Sequence, residues 1–182
     1  ENLSLFEKNS LDPISELERT ELLKELIDKF PKDHPLKRYR GDVYYEINNL
    51  YQLFSTMKRE GWTPKFILER ANAYINDLPN RDEFIAKRVV KEFKKGDVRT
   101  DKIEDEKTKM EKLKAAVNEF DHFQALMQKR NRYDFDDMIN WVIKAFQENP
   151  NLLLTYQEKY LYIMVDEYQD TNQVQYRIVQ LL

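Results

Sequence analysis

The sequence predicts a mostly α-helical protein with one short β-strand near its C-terminal end, and three observations lead to this prediction. Only three glycines occur in 182 residues, which argues against a sheet built on tight turns. Apolar residues recur at spacings of three and four through most of the chain, as they do on one face of a helix. One run, Leu161 to Val165, is apolar throughout, which is typical of a strand buried on both faces.

Composition narrows the possible classes of protein. The net charge of -3 gives no overall attraction for nucleic acid, so any such role must rest on local basic patches. The chain has no cysteine and only two histidines, His34 and His122, which argues against disulfides and against thiolate or histidine metal centres and favours a cytoplasmic location. No apolar run approaches the ~18 residues of a membrane span. Because residue 1 is Glu rather than Met, we expect the chain to be cut from something longer.

We predict the bounds of the helices from stripes of apolar residues and from the residues that interrupt these stripes. Thr63 and Pro64 form a good N-cap and first-turn pair, while Gly61, Pro79 and Gly96 each end a stripe. The predicted helices cover about Ser15–Phe30, Val43–Met57, Pro64–Leu78, Asp82–Lys95, Asp105–Met127 and Asp134–Phe146.

The single predicted strand is the anomaly in this helical pattern. A fully apolar strand with nothing to pair with would leave its backbone N–H and C=O groups unmet, which is costly. We therefore expect its parallel partners to lie outside these residues, so that the chain is a piece of an α/β protein.

Asp166 and Glu167 follow the predicted strand directly, and an apolar strand ending in two acids is the Walker B arrangement of nucleotide hydrolases. Such a strand delivers its carboxylates to the edge of a parallel sheet where phosphates bind. The first acid holds Mg²⁺, usually through water, and the second orients and deprotonates the water that attacks the γ-phosphate. By itself the pattern is weak, since an acidic strand end is also typical of a solvated turn.

A longer string strengthens the nucleotide-site interpretation. The residues Val165–Asn172, VDEYQDTN, followed by Gln175, closely resemble motif II of the UvrD/Rep-like superfamily 1 DNA helicases. A second segment, Tyr133–Ile139, is similar to the Asp-Phe-Asp-Asp-Leu-Leu segment of that family and lies about thirty residues upstream, as it does there. Asp134 and Asp137 could instead simply cap a helix whose core residues include Phe135 and Met138.

The resemblance implies specific roles for the residues of the motif. Asp166 would be the Mg²⁺ ligand, and Glu167 would be the catalytic base. Gln169 would contact the γ-phosphate region and couple the nucleotide state to the DNA-bound domains. Asp170 or Thr171 could support the turn, and either could also cap the helix that follows.

The resemblance also implies how the chain is divided. Residues 1–133 would be a helical 1B-like insertion that lies along DNA, and residues 134–182 would return into the RecA-like (P-loop NTPase) domain 1A. The sequence contains no GxxxxGK[ST] phosphate loop. ATP and Mg²⁺ would therefore be cofactors of the intact parent, and we expect this piece alone to be unable to hydrolyse ATP.

Four basic clusters with neighbouring aromatics are candidate contacts to single-stranded DNA or to a single/double-strand junction, because cations neutralise phosphates and aromatic rings stack on bases. The clusters are Arg38 and Arg40; Lys58, Arg59 and Lys65 near Trp62; Lys87, Arg88 and Lys91; and Lys129, Arg130 and Arg132 beside Tyr133. The alternative is that these clusters are solvated helix faces, since acidic neighbours such as Glu83 and Glu92 reduce their positive electrostatic potential.

Three functions stay open on the sequence. The favoured one is part of an ATP-dependent DNA helicase that moves 3′ to 5′ in DNA repair or replication and works with the remaining helicase domains of its parent chain. The second is the helicase part of a helicase-nuclease of recombination repair. The third is a non-enzymatic helical binding module in which the acidic string is only a capped turn.

Overall fold

The computed structural model describes residues 11–89 and 92–182, which are mostly helical, as predicted. The described α-helices are α1 Glu16–Asp28, α2 Ile47–Glu60, α3 Pro64–Asp77, α4 Thr100–Asn118, α5 Phe120–Lys129, α6 Phe135–Glu148, α7 Pro150–Lys159 and α8 Gln173–Leu181. Short 3₁₀ turns cover Leu78–Asn80, Asp82–Phe84 and Tyr168–Asp170. Two two-residue strands, β1 Asp12–Pro13 and β2 Arg132–Tyr133, pair in parallel.

Side-chain caps fix where several helices begin. Thr63 caps α3 through Phe66 N, with Pro64 in the first turn, which confirms the predicted start. Asp134 caps α6 in a capping box with Asp137, also as predicted. Asn172 caps α8, so the expectation that Asp170 or Thr171 would do so is wrong. The Asn172 side-chain oxygen accepts a hydrogen bond from the backbone amide of Gln175, the third residue of α8.

The main core lies between α1, α2, α4 and α5. Its centre is Phe54, whose ring stacks on Phe123 at 5.2 Å between centroids and meets Phe120 edge-on at 5.6 Å. The most completely buried side chains of this core are Leu22, Leu23, Ile27, Leu50, Phe54, Met57, Val117 and Met127. The predicted stripes of α1, α2, α4 and α5 therefore face one common interior, because residues three and four apart share a helix face.

The β1–β2 pair was not predicted, and it ties the start of the described chain to the segment after α5. Asp12 lies opposite Arg132, and the Asp12 amide donates to the Asn131 carbonyl at 3.0 Å. The Arg132 guanidinium contacts Glu18 at 2.9 Å and Asp12 at 3.2 Å. A two-residue strand leaves no periodic signal in the sequence, so only the folded chain reveals it.

The predicted strand Leu161–Val165 is not a strand in this structure. It has no regular secondary structure, and the exposed fractions of Leu161, Tyr162, Ile163 and Met164 are 76%, 93%, 41% and 98%. No strand of the described chain other than β1 and β2 exists to pair with it. A strand needs a ladder partner, and an apolar sequence alone does not supply one.

Two smaller expectations are also wrong. The predicted basic helix from Asp82 to Lys95 is replaced by a 3₁₀ turn and an antiparallel bridge between Ile85 and Val98, outside the undescribed residues 90 and 91. Phe135 and Met138 are exposed rather than part of a core. In both cases tertiary contacts, which periodicity does not encode, decide the outcome.

We predict that Glu18 makes the protein sensitive to acid. Hydrogen bonds from Ser15 and from Arg132 lower the pKa of Glu18 from 4.5 to about 2. The carboxylate therefore stabilises the fold above pH 4.5, and this contribution is lost as the pH falls from 4.5 towards 2. Urea unfolding at several pH values should show a smaller loss of stability between pH 5 and pH 3 in Glu18→Gln than in wild type.

The control Glu21→Gln, at an exposed position on the same helix, should behave as wild type. Equal acid sensitivity of Glu18→Gln and wild type would contradict the prediction.

Candidate functional site

The acidic segment Asp166–Asp170 lies between the extended residues after α7 and the start of α8, and its residues are exposed. Glu167 has φ 48° and ψ 44°, a left-handed conformation that is uncommon for residues other than glycine. The Asp166 carboxylate accepts a hydrogen bond from the Glu167 amide at 2.9 Å. The Glu167 carbonyl accepts one from the Asp170 amide at 2.8 Å. The chain therefore turns sharply between the two acids.

Gln169 is brought against Glu167 by this turn. The Gln169 side-chain amide donates a hydrogen bond to the Glu167 carboxylate. Thr171 Oγ1 donates to the Tyr168 carbonyl at 2.7 Å, and the Tyr168 ring packs edge-on against Tyr176 of α8 at 5.8 Å. The three predicted site residues Asp166, Glu167 and Gln169 thus lie on one short, hydrogen-bonded loop, while α8 anchors its far end.

The donor set of this loop fits a magnesium-nucleotide better than a free metal ion. Mg²⁺ prefers oxygen ligands and is usually held by one or two carboxylates, several waters and the phosphates of a substrate. Asp166 and Glu167 supply two exposed carboxylates. Within residues 11–89 and 92–182 no three metal-ligating side chains cluster, so the loop is not a metal cage by itself.

A buried ionic cluster lies where α2 meets the start of α6. The side chain of Lys58 is only 4% exposed, and its Nζ lies 2.6 Å from Asp134 Oδ2 and 2.8 Å from Asp137 Oδ1. The structure therefore places the predicted DNA contact Lys58 inside the protein, with its ammonium enclosed and already paired. No local sequence pattern indicates this pairing, since 76 residues separate Lys58 from Asp134.

Asp136 occupies the other side of the same junction. Its carboxylate accepts a hydrogen bond from Ser55 Oγ at 3.2 Å, and the Arg59 guanidinium approaches it to 3.9 Å. The Asn140 side chain donates to the Lys58 carbonyl at 3.1 Å. Burial and the nearby negative charge of Asp134 raise the pKa of Asp136 above its usual value.

The helices α2 and α6 both contact α8, which follows the acidic segment. Val174 of α8 is buried, and its Cγ1 would lie 3.5 Å from a Cβ placed on Gly61 at the end of α2. A groove of about 500 Å³ opens at this junction, lined by residues that include Glu60, Asn140 and Arg177. Three helices thus meet just beyond the acidic loop.

The other predicted DNA contacts differ in how available their charges are. Arg38 pairs with Glu46 at 3.2 Å, Arg130 with Glu25 at 2.7 Å, Arg132 with Glu18 at 2.9 Å, and Arg59 lies near Asp136. The more open cations are Arg40, Lys65, Lys87, Arg88 and Lys129, which are all exposed. Lys91 lies outside the described residues.

We predict that Asp136 lowers the stability of the fold at neutral pH. Its raised pKa means that the folded state favours the protonated carboxyl, so stability falls as the pH rises from 3.8 through the raised value. Asp136→Asn should therefore raise the urea midpoint at pH 7 and change it little near pH 3.5.

Asp121→Asn, at an exposed position of α5, is the matched control and should leave the midpoint unchanged. A lower midpoint for Asp136→Asn at pH 7 would show instead that the contacts of the charged carboxylate with Ser55 and Arg59 outweigh its burial.

Comparison with known proteins identifies similar sequences. The family model described as the UvrD/REP helicase N-terminal domain matches residues 2–182. A putative ATP-dependent DNA helicase YjcD of Bacillus subtilis is 41% identical over 63 residues, which is 35% of this chain and 8% of that protein. The ATP-dependent DNA helicases PcrA of Leuconostoc citreum and Staphylococcus aureus are 48% and 47% identical over 60 residues, which is 33% of this chain and 8% of each. Among the described helices, none combines the length and the apolar character needed to cross a bilayer.

Proposed function

This chain belongs to the UvrD/REP helicase family, and we propose that it is the part of an ATP-dependent DNA helicase that joins a DNA-contacting helical subdomain to the acidic edge of the nucleotide site. The observation that carries the proposal is the loop on which Asp166, Glu167 and Gln169 lie together, exposed and hydrogen-bonded. The matched stretch covers only 8% of each curated relative, which supports a longer parent protein. We place that parent in the cytoplasm.

We assign residues 1–133 to a 1B-like subdomain and residues 134–182 to the return into a RecA-like domain. The packing supports this division, because α1, α2, α4 and α5 share the main core. Helix α6 contacts α7 and α8, and it meets the helical part of the chain at α2. The boundary falls at β2 and the capping box that begins α6.

The three loop residues take different roles in ATP hydrolysis. The Asp166 carboxylate would hold Mg²⁺ through water, since this ion usually keeps several of its waters when carboxylates bind it. The Glu167 carboxylate orients the attacking water and accepts its proton. Gln169 donates a hydrogen bond to the Glu167 carboxylate and holds it in place. In the intact site Gln169 would also contact the γ-phosphate region. When bound, Mg²⁺ supplies neutralisation of charge on the phosphate oxygens.

The exposed apolar segment Leu161–Val165 is assigned to a parallel sheet whose other strands lie outside this chain. Exposed apolar residues in a row, with unpaired backbone groups, are typical of a surface that is covered in the complete protein. Pairing there would bring the acidic loop to the edge of the sheet, next to a phosphate loop that this sequence does not contain.

DNA is the proposed partner of the helical part, reached through the exposed cations Arg40, Lys65, Lys87, Arg88 and Lys129. We propose 3′ to 5′ movement and a role in repair or replication on the likeness to the family. A nuclease motif elsewhere in the parent protein would extend the proposal to a helicase-nuclease.

We predict that Glu167→Gln abolishes ATP turnover in the full-length parent. Loss of a general base should lower kcat by about 10²–10⁴-fold while ATP binding is retained. Steady-state ATP hydrolysis with single-stranded DNA, together with nucleotide binding, measures both effects. The control Glu158→Gln, exposed on α7, should behave as wild type. Robust ATP turnover by the 182-residue chain alone, lost in Glu167→Gln, would contradict the proposal that this chain is an incomplete site.

We predict weak DNA binding by this chain that depends strongly on salt. Each phosphate contact that is lost should make the plot of log binding constant against log salt concentration less steep, by about 0.7 in slope for single-stranded DNA. Fluorescence anisotropy at 50 to 300 mM salt should therefore show a shallower slope for Arg88→Met than for wild type. An affinity that does not change with salt would contradict the proposed phosphate contacts.

A further inference from the structure

Lys58 is the most unusual charge in the described chain. It lies on α2 among apolar core residues, and its side chain is 4% exposed, whereas most lysines of the chain are on the surface. Its ammonium is shared by two carboxylates, Asp134 Oδ2 at 2.6 Å and Asp137 Oδ1 at 2.8 Å. A buried charge is tolerated only where its partners are fixed, so this position is geometrically demanding.

The two carboxylates that hold Lys58 are the same ones that begin α6. Asp134 Oδ1 accepts the Asp137 amide at 2.9 Å, and Asp137 Oδ2 accepts the Asp134 amide at 3.1 Å. Each carboxylate therefore uses one oxygen for the helix cap and the other for Lys58. The start of α6 and the end of α2 cannot move apart without breaking the ion pairs, whose carboxylates are held in place by the cap.

This junction connects the helical part of the chain to the acidic loop. Helix α6 packs against α8, and α2 also reaches α8 where Gly61 meets Val174. The N-cap of α8, Asn172, comes two residues after Asp170. Contacts therefore run from α2 to α8, and α8 follows directly on the loop that holds Glu167 and Gln169.

We propose that Lys58 is a positioning residue that couples DNA engagement by the helical part of the chain to the orientation of Glu167 and Gln169. The inference rests on the proposed helicase function and deepens it. The ammonium of Lys58 is enclosed between Asp134 and Asp137, so its role is indirect. It acts by locking α2 to the start of α6, so that the two regions on either side of residue 133 move as one unit.

The test uses the full-length parent with Lys58→Met, Lys58→Arg and the double variant Lys58→Met/Asp137→Asn. The double variant relieves the buried negative charge that Lys58→Met leaves behind, so it separates stability from coupling. Lys102→Met, at an exposed position of α4, is the matched control. The measurements are ATP turnover with and without single-stranded DNA, KM for ATP, DNA affinity against salt, and Tm.

We expect Lys58→Met to lower DNA-stimulated kcat by about tenfold, the size of a typical coupling between linked sites. Turnover without DNA, KM for ATP and DNA affinity should stay within about twofold, because the residue contacts none of the ligands. Lys58→Arg should restore part of the stimulation, since it keeps the charge. The double variant should recover the wild-type Tm but not the stimulation of ATP turnover by single-stranded DNA.

Three results would overturn the inference. Stimulation that recovers together with Tm in the double variant would make Lys58 a purely structural residue. A weaker DNA affinity with a shallower salt slope in Lys58→Met would make it a phosphate contact. A wild-type parent without DNA-stimulated ATP hydrolysis would overturn the proposed function itself, and this outcome is distinguished from the other two by the wild-type measurement alone.

Discussion

The enclosed ammonium of Lys58, held between Asp134 and Asp137, is the interaction on which the arrangement of the C-terminal helices depends. A charge removed from water must keep its partners at short range, so separating the two helices would leave buried charges unpaired. Because the same acids cap α6, local helix formation and long-range packing reinforce each other at one place. Helix α8 then packs on both α2 and α6 and sets the far end of the acidic loop.

The two ends of the chain differ in how completely they bury their apolar surface. The helical region closes around Phe54 and its neighbours, with residues from α1, α2, α4 and α5 contributing to one core. The segment Leu161–Val165 leaves most of its apolar side chains exposed. This contrast follows from what each element needs, because a helix satisfies its own backbone while a strand requires a neighbour.

The acidic loop combines exposed carboxylates with a constrained backbone. Glu167 keeps a left-handed conformation, and its side chain receives a hydrogen bond from Gln169. Strained backbone conformations persist where surrounding contacts hold them, and they are frequent at functional sites. The loop therefore presents the carboxylates of Asp166 and Glu167 from one hydrogen-bonded turn.

The sequence by itself determined the features that depend on neighbouring residues. Thr63 and Asp134 begin their helices as predicted because a cap is a contact over three residues, and the string around Asp166 identified the family because its residues are contiguous. Only the tertiary structure decided that Lys58 is buried and paired with Asp134 and Asp137, and that β1 pairs with β2. It also decided that Leu161–Val165 is not a strand here. Each of these outcomes depends on burial or pairing between distant parts of the chain, which hydrophobic periodicity and local propensity do not encode.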